Sequence, residues 1–250
     1  MAASKIGSRG SKKSSPEGKK VKRKPTLRES VVELSRSREL HSMATMVICY
    51  NACIELTEVL WKAILRKTYS TKSEYMSFMG KFSQSVGVCA FVLQLFASSI
   101  IQGFGWKWAA LITPLSMAAL AVPFFASVAA GEVNVPLATA LLIGTTQNVV
   151  SKITKYSLFD PCKEMSYIPL GPEAKVKGKA AVDVLGARLG RSVGSASQQV
   201  LVLAAGGTIL RCAPALGVLY LIAVFFWCKS VGVLSKLFEA DAKAEEAEEK

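Results

Sequence analysis

The chain has 250 residues, 51% of them hydrophobic, a mean hydropathy of +0.33 and a formal net charge of +13. That apolar content exceeds what one soluble core requires and points to a membrane protein. A single histidine, His41, and six cysteines without a paired short spacing leave zinc, haem and Cys/His catalytic arrangements unsupported.

Residues 1–38 form a basic arm with twelve Lys or Arg against Glu17, Glu29 and Glu33. Such a segment is solvated, buries no core and is expected to be disordered. Beside an anionic membrane surface each of its cations contributes on the order of 1 kcal/mol of attraction. It has no aromatic residue for bases to stack on, so no nucleic-acid partner is expected. Its Ser-rich, acid-poor composition leaves a transit peptide open, while the lack of an apolar stretch excludes a secretory signal.

Residues 39–236 carry six apolar segments near the ~20 residues that cross ~30 Å of hydrocarbon. The first, residues 41–61, holds Glu55 and Glu58 three apart, so both project from neighbouring positions of one face. Glu58 either pairs locally with Lys62 or serves as a coupling carboxylate in a central cavity. Cys49 and Cys53 read as small apolar residues, and Trp61 as an interfacial anchor. The second and third segments, 78–102 and 106–130, are separated by a few residues, and Pro114 and Pro123 predict kinks within the third. Trp106 and Trp108 open that third segment as further anchors.

The fourth segment, 135–155, carries a polar patch from Thr145 to Asn148. Asn148, Lys152 and Lys155 then follow at helical spacing, a pattern able to line an anion-attracting vestibule. The alternative for the two lysines is snorkelling at the membrane surface. Asp160 before Pro161 reads as an N-cap that starts a short surface helix ending before Pro169. Gly178 and Lys179 faintly suggest a phosphate loop, but the preceding glycine is too distant and Ala180 replaces the magnesium-binding Ser or Thr.

In the fifth segment, 180–210, Gly186, Gly190 and Gly194 recur every fourth residue, a stripe that lets two helices pack closely in lipid. Arg188 and Arg191 lie beside it, and Ser195 and Gln198 continue the face of Arg191. Guanidinium offers a planar fork to phosphate oxygens, so an anionic substrate is the natural guest; an internal Arg–carboxylate pair is the alternative. The sixth segment, 213–234, is the most apolar. Residues 237–250 form an acidic tail expected to be an exposed, frayed helix.

Six crossings put both ends on one side, and the Lys/Arg distribution makes that the cytoplasm-equivalent side, although Arg66, Lys67 and Lys72 then fall opposite. The expected fold class is an all-α membrane protein of six transmembrane helices.

Residues 155–170 (KYSLFDPCKEMSYIPL) and 175–183 (KVKGKAAVD) resemble the ATP/ADP translocase family of plastid envelopes and energy-parasitic intracellular bacteria. The run from Glu55 through Thr57, Glu58, Val59, Leu60, Trp61 and Lys62, with Glu74, Tyr75 and Phe78 to Gly80, is similar to the same family. The resemblance implies a twelve-span ATP/ADP antiporter with a major-facilitator-like bundle, of which this chain matches the carboxyl-terminal half. Its basic arm stands where the family has the linker between halves. It further implies essential roles for Glu58 and for Arg191, where lysine is common, and a plastid inner envelope location.

The expected function is ATP/ADP exchange without enzymatic activity, metal or cofactor, with ATP and ADP as cargo. The substrate-facing residues would be Glu58, Arg191, Arg188, Glu55, Asn148, Lys152 and Lys155. The expected partners are the lipid bilayer and an amino-terminal half. That half would be sequence missing from a fragment, a separate chain or a second copy. A non-transporting scaffold is the alternative.

Overall fold

The structure is a computed structural model that describes residues 37–170, 172–205 and 207–248. The basic arm, apart from Ser37 and Arg38, lies outside the described residues. Every regular element among the described residues is helical. In chain order they are α1 (Arg38–Thr68), α2 (Lys72–Asn134), α3 (Leu137–Thr154), α4 (Asp160–Met165), α5 (Pro172–Ala180), α6 (Ala187–Ala205) and α7 (Ala213–Glu248). π-helical turns at Lys155–Phe159 and Ala181–Gly186 join α3 to α4 and α5 to α6, and a 3-10 turn at Ile209–Cys212 leads into α7.

Local chemistry sets the first boundaries. Ser37 caps α1, its Oγ accepting from Leu40 N at 3.2 Å. Thr71 and Glu74 form a reciprocal capping box at the start of α2, which fixes the tight turn out of α1. At 1.5 Å per residue the 63 residues of α2 would extend about 95 Å, some three times a bilayer core, so the helix must break. It does so at Gly105 (φ +80°), in the gap between the second and third predicted segments, and again at Gly131 (φ +75°). Glycine reaches these positive φ values without the Cβ clash that other residues meet. The expected interruptions at Pro114 and Pro123 are not where the dihedrals depart from helical: those departures fall on the two glycines.

Side-chain registers fix the directions. Trp61 meets Phe82 of α2, bonds Thr145 of α3 and lies against Phe124 beside Gly144. Further along, Ser157 donates to Ala90 O and Thr113 to Thr154 O. Residues 82 and 124 therefore share one level and 90 and 113 another, so the chain reverses at Gly105. Relative to α1, α3 and α7 run antiparallel, with Glu58 facing Lys152, Cys53 facing Tyr220 and Tyr50 facing Trp227. In contrast α6 runs parallel, with Gly186 against Val47, Gly190 against Asn51 and Gly194 against Glu55. The small-residue stripe thus does what its spacing predicted: it brings α6 onto the backbone of α1.

The core sits around α1, where Leu40, Met43, Leu60, Trp61 and Ile64 are buried with Phe124, Tyr220 and Trp227. Trp61 is wholly buried, so it is a core bridge between α1 and α3 and not the interfacial anchor its position suggested. Outward faces are apolar instead: Phe91, Leu95, Phe96 and Phe104 of α2 and Phe225 of α7 are exposed. Patches of this kind suit lipid contact. Among the described residues three helical stretches are long and apolar enough to cross a membrane, Arg38–Thr68, Lys72–Asn134 and Ile209–Ala240. The acidic tail continues α7 as helix to Glu248.

Candidate functional site

α3 and α6 both pack on α1 along much of its length, and neither packs substantially on the other. Between them α1 leaves an open strip, and Glu58, Lys62 and Lys152 lie along it. Glu58 is the centre. Its Oε1 lies 3.1 Å from Lys62 Nζ on the next turn and 3.8 Å from Lys152 Nζ on α3. The local Glu58–Lys62 pair and a cross-helix contact are therefore both present. The Glu58 side chain is 22% exposed and that of Lys152 24%. Screening by water is thus reduced without being lost, and the pair remains open to exchange.

One turn further, Lys155 Nζ donates to Asp160 Oδ2 at 2.7 Å and lies over the rings of Tyr156 and Tyr50. These two charged residues are five apart, which an α-helix would place about 140° around its axis from one another. The π turn at Lys155–Phe159 takes in an extra residue per turn and brings them onto one side. Asp160 is accordingly not the N-cap read from the Asp-Pro pair. The helix runs continuously through Phe159, no side chain caps α4, and the carboxylate is used by Lys155. The short helix does end before Pro169, at Met165.

Across the strip, Arg188 and Arg191 are exposed on α6 and make no ion pair among the described residues. Glu55 turns toward α6: its Cβ abuts Gly194, its backbone carbonyl accepts from Gln198 Nε2 at 2.8 Å, and it lines a groove with Ser195. Glu55 and Glu58 therefore straddle the edge of α1.

Asn148 departs from expectation. It is fully buried inside the bundle, donating to Gly144 O at 2.9 Å, and does not join Lys152 and Lys155 on the open strip. Gln147 is buried too, against Ser151 and Tyr220, so the polar patch splits between interior and exterior. Gly178 packs against the Leu40 side chain, which uses the suspected phosphate loop as a helix contact. Cys49, Cys53, Cys162 and Cys212 are buried; burial pushes the Cys162 thiol, at the bundle end, up to about 12.

One device was not read from the sequence. Lys163 Nζ bonds Asp183 Oδ1 at 2.6 Å, and Lys179 Nζ bonds Glu164 Oε2 at 2.5 Å, clasping α4 to α5 and the second π turn. The partners are 20 and 15 residues apart, beyond any local pairing rule.

Lys62, Lys152 and Lys155 thus cluster with Glu58 and Asp160 on the α1 and α3 side, while Arg188 and Arg191 are exposed on α6 with Glu55 turned toward that helix. Low-dielectric helix walls beside such an excess of cations concentrate anions, and lysines already held by carboxylates can exchange those partners for phosphate oxygens.

A family model described as TLC ATP/ADP transporter matches residues 6–238. The chain is 43% identical over 240 residues to "ADP,ATP carrier protein 1" of Chlamydia muridarum, an alignment covering 92% of this chain and 45% of that protein. It is 39% identical over 239 residues to the "Plastidic ATP/ADP-transporter" of Solanum tuberosum, covering 92% and 38%. With "ADP,ATP carrier protein 4" of Rickettsia conorii it shares 37% over 237 residues, covering 90% and 46%. The chain spans less than half the length of each of these relatives, which are named as carriers or transporters and not as enzymes. No solved structure matches.

Proposed function

This chain belongs to the TLC ATP/ADP transporter family, and on that premise we propose that it supplies one six-span half of an ATP/ADP antiporter. The observation that carries the reading is the open cationic strip on α1, α3 and α6, where Glu58 lies between Lys62 and Lys152. The six spans are α1, the two parts of α2 on either side of Gly105, α3, the run from α5 through α6, and α7. Together they make one half of a major-facilitator-like bundle with both ends on the cytoplasm-equivalent side.

Transporters built from repeats hold substrate near the midplane between halves, so six helices give one wall. The second wall comes from another six-helix unit, whether it lies on the same polypeptide, a separate chain or a second copy. Without it the strip would face lipid, at about 2.5 kcal/mol or more for each charge at depth.

In this reading Arg191 and Arg188 grip phosphate oxygens from the α6 side while Lys152 and Lys155 take them from the α3 side. As phosphate arrives, Glu58 gives up Lys152 and pairs with another cation, and it recaptures the lysine when the nucleotide leaves. Glu55 and Asp160 limit how strongly the empty strip attracts other anions. ATP is cargo, and exchange follows from the different affinities of the outward and inward states for the tri- and diphosphate.

Proteoliposomes containing the carrier assembled with its other half, loaded with ADP and given labelled ATP, test the assignment. Uptake should require internal ADP. Lys152→Gln should raise the KM for ATP about tenfold, the equivalent of ~1.4 kcal/mol for one lost charge-assisted contact. Lys62→Gln, at a more exposed position, should change it much less. Uptake independent of internal ADP, or no difference between the two variants, would refute the scheme. Specific ATP binding would also argue against a non-transporting scaffold.

We assign the membrane as a plastid inner envelope. Fractionation of the source cell tests this, and recovery with a bacterial cytoplasmic membrane would overturn it.

A further inference from the structure

At the end of the bundle where α1 terminates, four helix ends meet around a cleft of about 420 Å³. Lys67 comes from the last turn of α1, Glu132 from the end of α2 beyond the Gly131 break, Leu137 from the first turn of α3, and Arg211 from the 3-10 turn into α7. The cleft is far along α1 from Tyr50 and lies within this one half of the bundle, between α1, α2, α3 and α7. It is separate from the strip between α3 and α6.

Its two sides differ in chemistry. The floor is apolar, with Ile64, Val128 and Leu137, while the rim carries Lys67, Arg211 and the Thr208 hydroxyl. Arg211 is exposed and has no ion-pair partner among the described residues. Lys67 is held by Glu132 at 2.8 Å, but both side chains are half exposed or more, so the pair contributes little and either group is free to change partner. An apolar floor beneath a two-cation rim, at an end of the bundle where the helices terminate, matches an amphiphile whose head carries negative charge.

We propose that this cleft binds the phosphate headgroup of an anionic phospholipid. Arg211 and Lys67 hold the phosphate oxygens, Thr208 donates to them, and one acyl chain lies on the floor of Ile64, Val128 and Leu137. The site also gives a use to Lys67 and Arg211, which stand at the end of α1 remote from Arg38. It rests on the chain being a membrane protein and not on nucleotide exchange.

The test follows the melting temperature of the purified full chain in neutral detergent. It is titrated with phosphatidylglycerol, phosphatidylcholine or inorganic phosphate. Phosphatidylglycerol should raise the melting temperature by about 3 °C, and the other two should not. The double variant Lys67→Gln/Arg211→Gln should lose the shift. Glu132→Gln, which releases Lys67 and keeps both cations, should enlarge it. An equal shift with phosphatidylcholine, a shift retained in the double variant, or no enlargement in Glu132→Gln would overturn the site. Reproduction by inorganic phosphate would overturn the lipid assignment. Nucleotide is absent from every arm, so failure here leaves the transport reading untouched.

Discussion

Gly190→Leu should leave almost no folded protein. A Cβ at this position would fall on the carbonyl oxygen of Ile48, 3.1 Å from the Ile48 carbonyl carbon and 2.7 Å from Asn51 Cβ. Two of these three contacts are backbone, so no side-chain rotation relieves them; α6 would have to move off α1. Even Gly190→Ala should cost on the order of 3 kcal/mol, the upper range for inserting a methyl into a packed interior, and leucine should exceed it. Gly186→Ala should be milder, because its nearest neighbour is the Val47 side chain at 3.2 Å. Gly232, with nothing within 4 Å of its Cβ position, provides the control: Gly232→Ala should be neutral or stabilising by up to ~1 kcal/mol. Monodisperse protein surviving a heat step in detergent measures the series. A Gly190→Leu protein melting with its parent would show that α6 does not rest on α1 as described.

The second large effect concerns the charges. In the assembled carrier Arg191→Ala should abolish ATP/ADP counter-exchange, and Arg191→Lys should retain much of it, because the positive charge survives while the bidentate fork does not. Glu58→Gln should behave differently. Removing the carboxylate frees Lys62 and Lys152, so ATP should bind as well as before or more tightly, yet turnover should fall about a hundredfold because nothing recaptures the lysine when the nucleotide leaves. Binding and exchange measured on the same preparations separate the two roles. Loss of ATP binding in Glu58→Gln, or normal exchange in Arg191→Ala, would refute the respective assignment.

Particular residues mark how far the sequence could be read. The glycine stripe at 186, 190 and 194 announced a close helix contact because a fourfold spacing has one physical meaning on a helix; that α1 is the partner follows only from the fold. Apolar run length divided α2 near its Gly105 reversal. Glu58 and Lys62 were legible as neighbours because they share a helix face, whereas Lys152 reaches Glu58 from 94 positions away.

Three readings failed for reasons of context. Asn148 shares its spacing with Lys152 and Lys155 but turns inward, since periodicity tells which residues align and not which side is covered. Trp61 sits near a segment end, as interfacial tryptophans do, yet tertiary packing encloses it. Asp160 precedes a proline as helix caps do, but the π turn keeps the backbone helical and commits the carboxylate to Lys155. No residue pattern in the run from Lys155 to Phe159 signals the extra residue of that turn.

The most direct measurement is thiol accessibility at Ser195→Cys, beside Glu55 on the open strip, with Cys89 and Cys228 replaced by serine and the remaining four cysteines buried. In the carrier assembled with its other half, a charged, membrane-impermeant thiol reagent should modify this position. Saturating ATP or ADP should slow the reaction about tenfold, as occupancy of a shared aqueous route requires. A thiol that never reacts, or reacts at one rate with and without nucleotide, would contradict the account.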